Sequence, residues 1–313
     1  MSILVTGGAG FIGSHLCERL AGEGLSVVCA DDLSLGRTEN IESLTDTPNF
    51  KFIKLDITDA EALNELFESH AFNTVFHLAA NSDIRKSAVY PQIDYKNTFL
   101  TTYTLLECMR VHQVRRLVFS STSAIYGDKP GINISESTGD LFPISYYGGA
   151  KLASEAFISS YSYMNDIQAY IFRFPNVIGE RCTHGVIYDF INKLRSNPQR
   201  LEILGDGSQR KPYIYISDLA DAIMHVYSLC SGRMNCYNIS VEGQTSVQFI
   251  ADAVCREMGL SNVKYEFTGG NTGWKGDVPS FRYDTSKIYE LGWTPHLTSD
   301  EAVEAAVRRV LGK

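Results

Sequence analysis

Runs of consecutive apolar residues recur along the first half of the chain, and between them apolar positions return every three or four residues. Ser2 to Thr6, Ser26 to Ala30, Phe50 to Leu55, Thr74 to Leu78, Leu117 to Ser120 and Ala169 to Phe174 read as strands buried on both faces. The segment with Phe11, Ile12, Leu16 and Leu20, then Ala60 to Ser69, Tyr90 to His112 and Ser145 to Tyr163, read as helices. Strict alternation of the two predicts an α/β fold with a doubly wound parallel sheet. Gly36 to Pro48 and Gly127 to Pro143 read as loops. Past Pro175 the alternation loosens, which puts one domain at residues 1–175 and a smaller α/β lobe mainly at 176–313. A strand at Tyr213 to Ile216 and a helix at Asp218 to Leu229 form an expected returning segment near 212–240.

The first strand runs into Gly7-Gly8-Ala9-Gly10-Phe11-Ile12-Gly13-Ser14. Gly8, Gly10 and Gly13 fit G-x-G-x-x-G, while Gly7, Gly10 and Gly13 fit G-x-x-G-x-x-G. Residues without Cβ let the backbone turn sharply and approach a pyrophosphate, whose charge meets the amides opening the next helix. The second strand ends at Asp31-Asp32, the spacing at which a carboxylate meets adenosine ribose hydroxyls. Asp31 favours NAD over NADP by repelling a 2′-phosphate, and Arg37 is the one nearby residue that weakens that preference. The first domain is thus expected to be an NAD-binding Rossmann domain. Asp56, ending the third strand, either contacts adenine or belongs to the turn before a helix that Thr58 or Asp59 caps. Ala79, Ala80, Asn81 and Ser82 follow the fourth strand, where small residues let a ligand pass close, and Asn97 is a candidate buried brace for that loop.

Composition narrows the class. The 313 residues carry a formal charge of -8, which disfavours a nucleic-acid binder. Seven scattered cysteines without a C-x-x-C pair indicate neither a metal site nor a disulfide framework. With no apolar run near eighteen residues and no basic leader before the first strand, a soluble cytoplasmic protein is expected.

Hydroxyls cluster after the fifth strand at Ser120-Ser121-Thr122-Ser123, and Tyr147 and Lys151 follow four apart on one helical face. A second Y-x-x-x-K at Tyr283 to Lys287 shows how little that spacing means alone. The first copy follows the nucleotide turn and the hydroxyl cluster, which singles it out. A free phenol, with pKa near 10, is a poor base at neutral pH; an ammonium one turn away and a cationic nicotinamide lower it, each unit being about 1.4 kcal/mol. Tyr147 would then take a proton from a sugar hydroxyl held by Thr122 as hydride leaves the same carbon, with Lys151 also orienting the nicotinamide ribose.

Gly7-x-x-Gly10-x-x-Gly13, Asp31, Asp56, His77 to Ala80, Asn97, Ser120-Ser121-Thr122 before Tyr126-Gly127, and Tyr147-x-x-x-Lys151 together resemble the extended short-chain dehydrogenase/reductase family over nearly the whole chain. Within it the likeness is strongest to the nucleotide-sugar 4-epimerases that act on UDP-glucose and UDP-galactose. The resemblance implies NAD held by Gly7, Gly10, Phe11, Ile12, Gly13, Asp31, Asp32, Asp56, Ile57, Leu78, Ala79, Ala80, Asn97, Ser120, Tyr147 and Lys151. It also implies Asn176 near the substrate diphosphate and a homodimer formed through helices around residues 92 to 112 and 147 to 163.

Family members that dehydrate nucleotide sugars place Asp-Glu directly after the Thr, whereas this chain has Ser123-Ala124, which cannot act as an acid. Epimerisation needs one base and one NAD. The expected activity is therefore 4-epimerisation of a UDP-hexose by transient oxidation to the 4-keto sugar. Alternatives are a nucleotide-sugar 4-dehydrogenase or ketoreductase, a 4,6-dehydratase, and a dinucleotide-sensing protein without turnover. The second lobe departs from the family pattern. Gln209-Arg210-Lys211-Pro212-Tyr213 stands where Arg, Asp and an aromatic are usual, and Trp274-Lys275-Gly276-Asp277 where Arg-Pro-Gly-Asp is typical. The diphosphate clamp would rest on Lys211 or Arg210, with Asp277 bonding a ribose, unless the two cations are simply a solvated basic pair.

Overall fold

The computed structural model describes residues 2–270, 272–274, 276–278 and 280–313. The chain divides into two compact units: the first holds the chain through Ile125, Tyr146–Arg173 and Ile223–Tyr237, and the second holds Tyr126–Ser145, Phe174–Ala222 and Asn238–Lys313.

A seven-stranded sheet dominates the first unit. Its strands are β1 (Ser2–Thr6), β2 (Val27–Asp31), β3 (Phe50–Lys54), β4 (Phe72–His77), β5 (Arg116–Thr122), β6 (Gln168–Phe174) and β7 (Met234–Asn238), in the order β7-β6-β5-β4-β1-β2-β3. Leu4 is in register with Val28 of β2 on one side and with Val75 of β4 on the other, both pairings parallel. The chain builds outward to β3 and then crosses back to β4, so strand direction of travel reverses beside β1; ligands of such sheets bind at that switch, outside the carboxyl ends. Leu4, Val28, Val75 and Phe119 pack with Leu63, Phe67, Leu105 and Leu106 of the covering helices, which include α1 (Phe11–Gly22), α2 (Ala60–Ser69), α3 (Thr101–Val111) and α4 (Tyr146–Asn165). Asp59 caps α2 by accepting from Ala62 N at 3.1 Å.

Several segments differ from the sequence pattern. The polar stretch after Gly36 contains a 3₁₀ helix, Thr38–Leu44, because Ile41 and Leu44 turn inward and Asn40 Nδ2 donates to Ala9 O at 2.8 Å. The single helix expected over Tyr90 to His112 is broken: Gln92–Asp94 forms one turn after Pro91, Tyr95–Leu100 is π-helical, and α3 follows. The wider turn shifts the inward face by one residue. Thr98 is fully buried and its Oγ1 accepts from Asn81 N at 3.2 Å, so the brace on the loop after β4 comes from Thr98, while Asn97 is half-buried. His77, at the end of β4, bonds Thr6 Oγ1 at 2.7 Å and Thr102 Oγ1 at 3.1 Å. Burial, with the charge of Lys151 adding to it, holds its pKa down to about 3, so a neutral imidazole ties β1 and β4 to α3.

The second unit has its own core of Ile187, Phe190, Leu194, Leu201, Ile250, Val254, Val303 and Val307. It is built on α5 (Val186–Ser196), the start of α6 (Ile216–Leu229), α7 (Val247–Glu257) and α8 (Ser299–Val310) with short strand pairs. Tyr213–Tyr215 pairs with Asn176–Ile178 inside this unit; the strand that returns to the large sheet is instead β7. Asn133–Ile134 pairs with Arg282–Tyr283, which ties the segment after Tyr126 into the same unit.

Candidate active site

At the carboxyl end of β1 the chain turns at Gly7, whose φ of +69° lies in the left-handed region that favours glycine. A Cβ there would stand 2.6 Å from Ala79 N, and one on Gly13 would stand 2.1 Å from Gly7 O and 2.7 Å from Gly8 Cα. Gly8 faces inward, where a Cβ would meet Cys29 Sγ at 2.5 Å. Gly7, Gly8 and Gly13 thus have no space for a side chain, and a Cβ on Gly10 would stand 3.1 Å from Gly7 O. Gly10 is the N-cap of α1 and supplies no side chain, so the amides opening that helix stand next to Phe11 and Ile12 without a built-in acceptor from the cap.

Asp31, at the end of β2, is buried, and its carboxylate accepts from Ala9 N at 3.0 Å and Leu33 N at 2.8 Å. Burial raises its pKa, against which those amide bonds work. Gly36 leaves it room, since a Cβ there would lie 2.6 Å from Asp31 Oδ1. Asp32 is exposed and accepts from Ser34 N at 2.8 Å. Asp56 Oδ1 accepts from Thr58 N at 2.9 Å and Thr58 Oγ1 at 2.7 Å, and its Oδ2 pairs with Lys96 at 3.3 Å. Ile57 is buried, and Leu78, Ala79 and Ala80 line the half-buried exit of β4, with Leu78 N donating to Thr6 O at 3.0 Å. A backbone cradle that admits no Cβ, a helix start with no capping side chain and a buried carboxylate form the donor and acceptor set of a dinucleotide: amides for the pyrophosphate, the carboxylate for ribose hydroxyls.

Beyond this cradle, β5 ends in the hydroxyl cluster and α4 carries Tyr147 and Lys151. Thr122 Oγ1 accepts from Ala124 N at 3.2 Å, which leaves its proton for the Tyr147 phenol to which it is hydrogen-bonded. Lys151 is 2% exposed; its Nζ donates to Ser120 O at 2.6 Å and lies 4.5 Å from the centre of the Phe119 ring. Ser120 Oγ in turn donates to His77 O at 3.3 Å. Burial pulls the Lys151 pKa down to about 7, and the Glu155 and Asp94 carboxylates oppose that fall. For Tyr147 the expectation is that an ammonium one turn away and a cationic nicotinamide together lower its pKa; in the protein by itself the balance runs the other way. Burial and then the Asp94 charge push the phenol above its ordinary range, and the Thr122 bond works against them.

Two partners of this cluster escaped the sequence reading. Glu155, one turn past Lys151, is buried, accepts from Arg173 Nη2 at 2.6 Å and from the Ser121 hydroxyl, and so clamps α4 to β5 and β6. Its i+4 spacing from Lys151 was the available signal. Asp94 is also buried, and nothing in the local pattern marked it.

In the second unit, Lys211 and Asp277 form an ion pair and Lys211 Nζ lies 5.1 Å from the centre of the Trp274 ring. Asp277 Oδ2 also accepts from Gly273 N at 3.0 Å. The adjacent cations are not equivalent: Lys211 points inward with its side chain 14% exposed, whereas Arg210 is exposed, as strand alternation requires. Asn176 is exposed, pairs in register with Tyr213 and is hydrogen-bonded to its phenol. Lys275 lies outside the described residues.

Comparison with known proteins agrees with this geometry. The model of the NAD dependent epimerase/dehydratase family matches residues 3–240. The chain belongs to that family. A UDP-glucose 4-epimerase of Mycolicibacterium smegmatis is 32% identical, covering 98% of this chain and 97% of its own. UDP-arabinose 4-epimerase 1 of Arabidopsis thaliana is 33% identical, over 98% of this chain and 78% of its own. The crystal structure of UDP-glucose 4-epimerase with UDP-glucose from Thermotoga maritima superposes with a TM-score of 0.89 at 30% identity, over 100% of this chain and 99% of that one. The glycine turn leaves no room for added atoms at Gly7 or Gly13. Gly13→Ala is expected to cost about 1–3 kcal/mol through the clash with Gly7 O and to abolish NAD retention. Denaturant midpoints and the nucleotide content of the purified protein check this, and a variant that keeps both would show that the turn has slack.

Proposed function

We propose that the protein is an NAD-dependent nucleotide-sugar 4-epimerase that interconverts UDP-glucose and UDP-galactose. The observation carrying this reading is the cluster at the end of β5: the Thr122 hydroxyl bonded to the half-buried Tyr147 phenol, with buried Lys151 one turn further along α4. Bound NAD supplies the hydride acceptor and a cationic ring. Thr122 holds the sugar 4-hydroxyl, Tyr147 takes its proton and returns it after the keto sugar has turned, and Lys151 fixes the nicotinamide ribose. Because burial keeps the phenol protonated in the protein by itself, Tyr147 becomes a competent base only when positive charge is brought beside it. Ser123 and Ala124 follow Thr122, so the acid that elimination from C6 requires is missing at that position, which favours epimerisation over dehydration.

Phe11, Ile12, Asp31, Asp32, Asp56 and Asn97 are assigned to NAD with the glycine turn and the exit of β4. Asn176, Lys211 and Asp277 are assigned to the nucleotide diphosphate and ribose, with exposed Arg210 as an auxiliary cation. The M. smegmatis and T. maritima relatives support UDP as the nucleotide, and the Arabidopsis relative makes a pentose the natural competitor for the sugar. The same reading includes a homodimer. Tyr95, Phe99, Tyr103 and Phe157 form a contiguous set of ring contacts along the π turn, α3 and α4, with Tyr95 59% exposed and Phe157 40% exposed, an aromatic face suited to a second copy. The seven cysteines form no disulfide with one another, which fits a reducing cytoplasm, and among the described residues no helix is long and apolar enough to cross a membrane.

Incubation with UDP-glucose, UDP-galactose, their N-acetyl forms and UDP-arabinose, followed by NMR, is expected to show interconversion at C4 of the UDP-hexoses without accumulation of free NADH. Stoichiometric NADH would instead identify a dehydrogenase. Tyr147→Phe is expected to retain NAD and lose about 10²–10⁴-fold in kcat; unchanged turnover would remove Tyr147 from the reaction. Phe157→Asp is expected to sediment as a monomer, and a dimer that survives the substitution would place the interface elsewhere.

A further inference from the structure

Asp94 is a buried carboxylate that the reaction as described does not use. It closes the turn Gln92–Asp94, immediately before the π-helical segment, and is 1% exposed. Its Oδ1 accepts from Asn81 Nδ2 at 2.7 Å. Asn81 is itself fixed, donating through its N–H to Thr98 Oγ1 at 3.2 Å and accepting from Asp83 N at 3.1 Å. The other oxygen, Oδ2, is buried without a hydrogen-bond partner among the described residues. A carboxylate kept out of water with one oxygen unsatisfied is strongly disfavoured unless a cation shares its surroundings.

The elements packed against this turn are Ile84–Val89, Tyr95–Leu100 and α4. Their charged and titratable groups, with the cap of the first, are Asp83, Arg85, Lys86, Tyr95, Lys96, Tyr146, Tyr147, Lys151, Glu155, Tyr161 and Tyr163. Arg85, Lys86, Tyr95, Tyr146 and Tyr163 are exposed, and Lys96 is turned to Asp56 at 3.3 Å. Asp83 accepts from Lys86 N at 3.0 Å, and Tyr161 donates to Glu107. Glu155 has Arg173 as its counter-ion. The remaining cation is Lys151, whose hydrogen bond goes to the neutral carbonyl of Ser120. A carboxylate lacking a cation and an ammonium lacking a direct carboxylate partner are thus buried in one unit, on elements that pack together.

We propose that Asp94 is the counter-charge of Lys151, a positioning residue that keeps the ammonium charged in its buried place beside Tyr147. The electrostatics agree in sign: Glu155 is the larger carboxylate influence on Lys151, and the Asp94 charge adds to it and also raises Tyr147. Removing it should therefore lower both titrations together. The role in turnover rests on the epimerase reading above, but the charge coupling itself is independent of activity.

The test uses full-length protein with [ε-13C]lysine, the Lys151 signal being assigned by its absence in Lys151→Met. Asp94→Asn keeps an acceptor for Asn81 and removes the charge. Its Lys151 midpoint is expected to fall by at least about one pH unit relative to wild type, as for loss of an opposite charge nearby, and the acid limb of its kcat profile is expected to move to lower pH. A packing role would change stability and leave both midpoints in place, which would overturn the proposal. Should Asp94→Asn not fold, carboxyl-13C aspartate reads the same coupling from the other side: the Asp94 midpoint is expected to rise by at least about one unit in Lys151→Met. An unchanged midpoint there would equally overturn it. Absence of epimerisation by the wild type would overturn the functional reading alone, because the NMR titrations would still decide the role of Asp94.

Discussion

Burying an ammonium is unfavourable, and Lys151 at 2% exposure is the point around which the end of β5 and the start of α4 are arranged. Everything around it compensates for lost water. The Ser120 carbonyl accepts its hydrogen bond, the Phe119 ring lies under it, and Glu155 opposes the fall in its pKa. Glu155 needs Arg173 and Ser121 in turn, so the ion pair reaches β5 and β6 and fixes α4 against both. Tyr147 inherits its place from that arrangement. A phenol one turn from Lys151 and bonded to Thr122 has little freedom to point elsewhere.

The cofactor end obeys a different constraint, steric rather than electrostatic. Gly13 comes so close to Gly7 and Gly8 that no side chain fits, and Gly7 does the same against Ala79. That closeness brings the ends of β1 and β4 together at the switch in strand order, where neutral His77 links them to α3 through Thr6 and Thr102. The protein by itself holds its phenol protonated, and the cradle is where a cationic ring can be delivered. Under the proposed function, catalytic competence is thereby coupled to cofactor occupancy. The site has no strong base to spend on water when empty of NAD.

Much of the first unit was legible in the chain because strands buried on both faces leave unbroken apolar runs, and the six read this way lie within two residues of β1 to β6. That Tyr147 and Lys151 share one helix was legible because spacing of four is a local property, and their place after the hydroxyl cluster set them apart from Tyr283 and Lys287. The two possible glycine spacings share Gly10 and Gly13, and both remaining glycines are needed for different reasons: Gly7 has the positive φ, and Gly8 is packed against Cys29. The π-helical turn moved the inward polar position from Asn97 to Thr98, a shift that a period of 3.6 cannot anticipate. Strands of two or three residues, such as Asn133–Ile134, carry too little pattern to register. Lys211 and Asp277, 66 positions apart, each looked like a separate ligand contact, yet they bond each other. Asp94 lay hidden because its importance comes from what it lacks, a partner for one oxygen, and that is a property of packing.

The central claim is that the hydrogen at C4 leaves as hydride, stays on the enzyme and returns to the sugar it came from. UDP-[4-2H]glucose offered in ordinary water tests this most directly. The account predicts UDP-galactose that retains its deuterium at C4, read by NMR, because a hydride held on a bound nicotinamide does not exchange with solvent. Loss of that deuterium to water would mean removal of the C4 hydrogen as a proton, and would contradict the account.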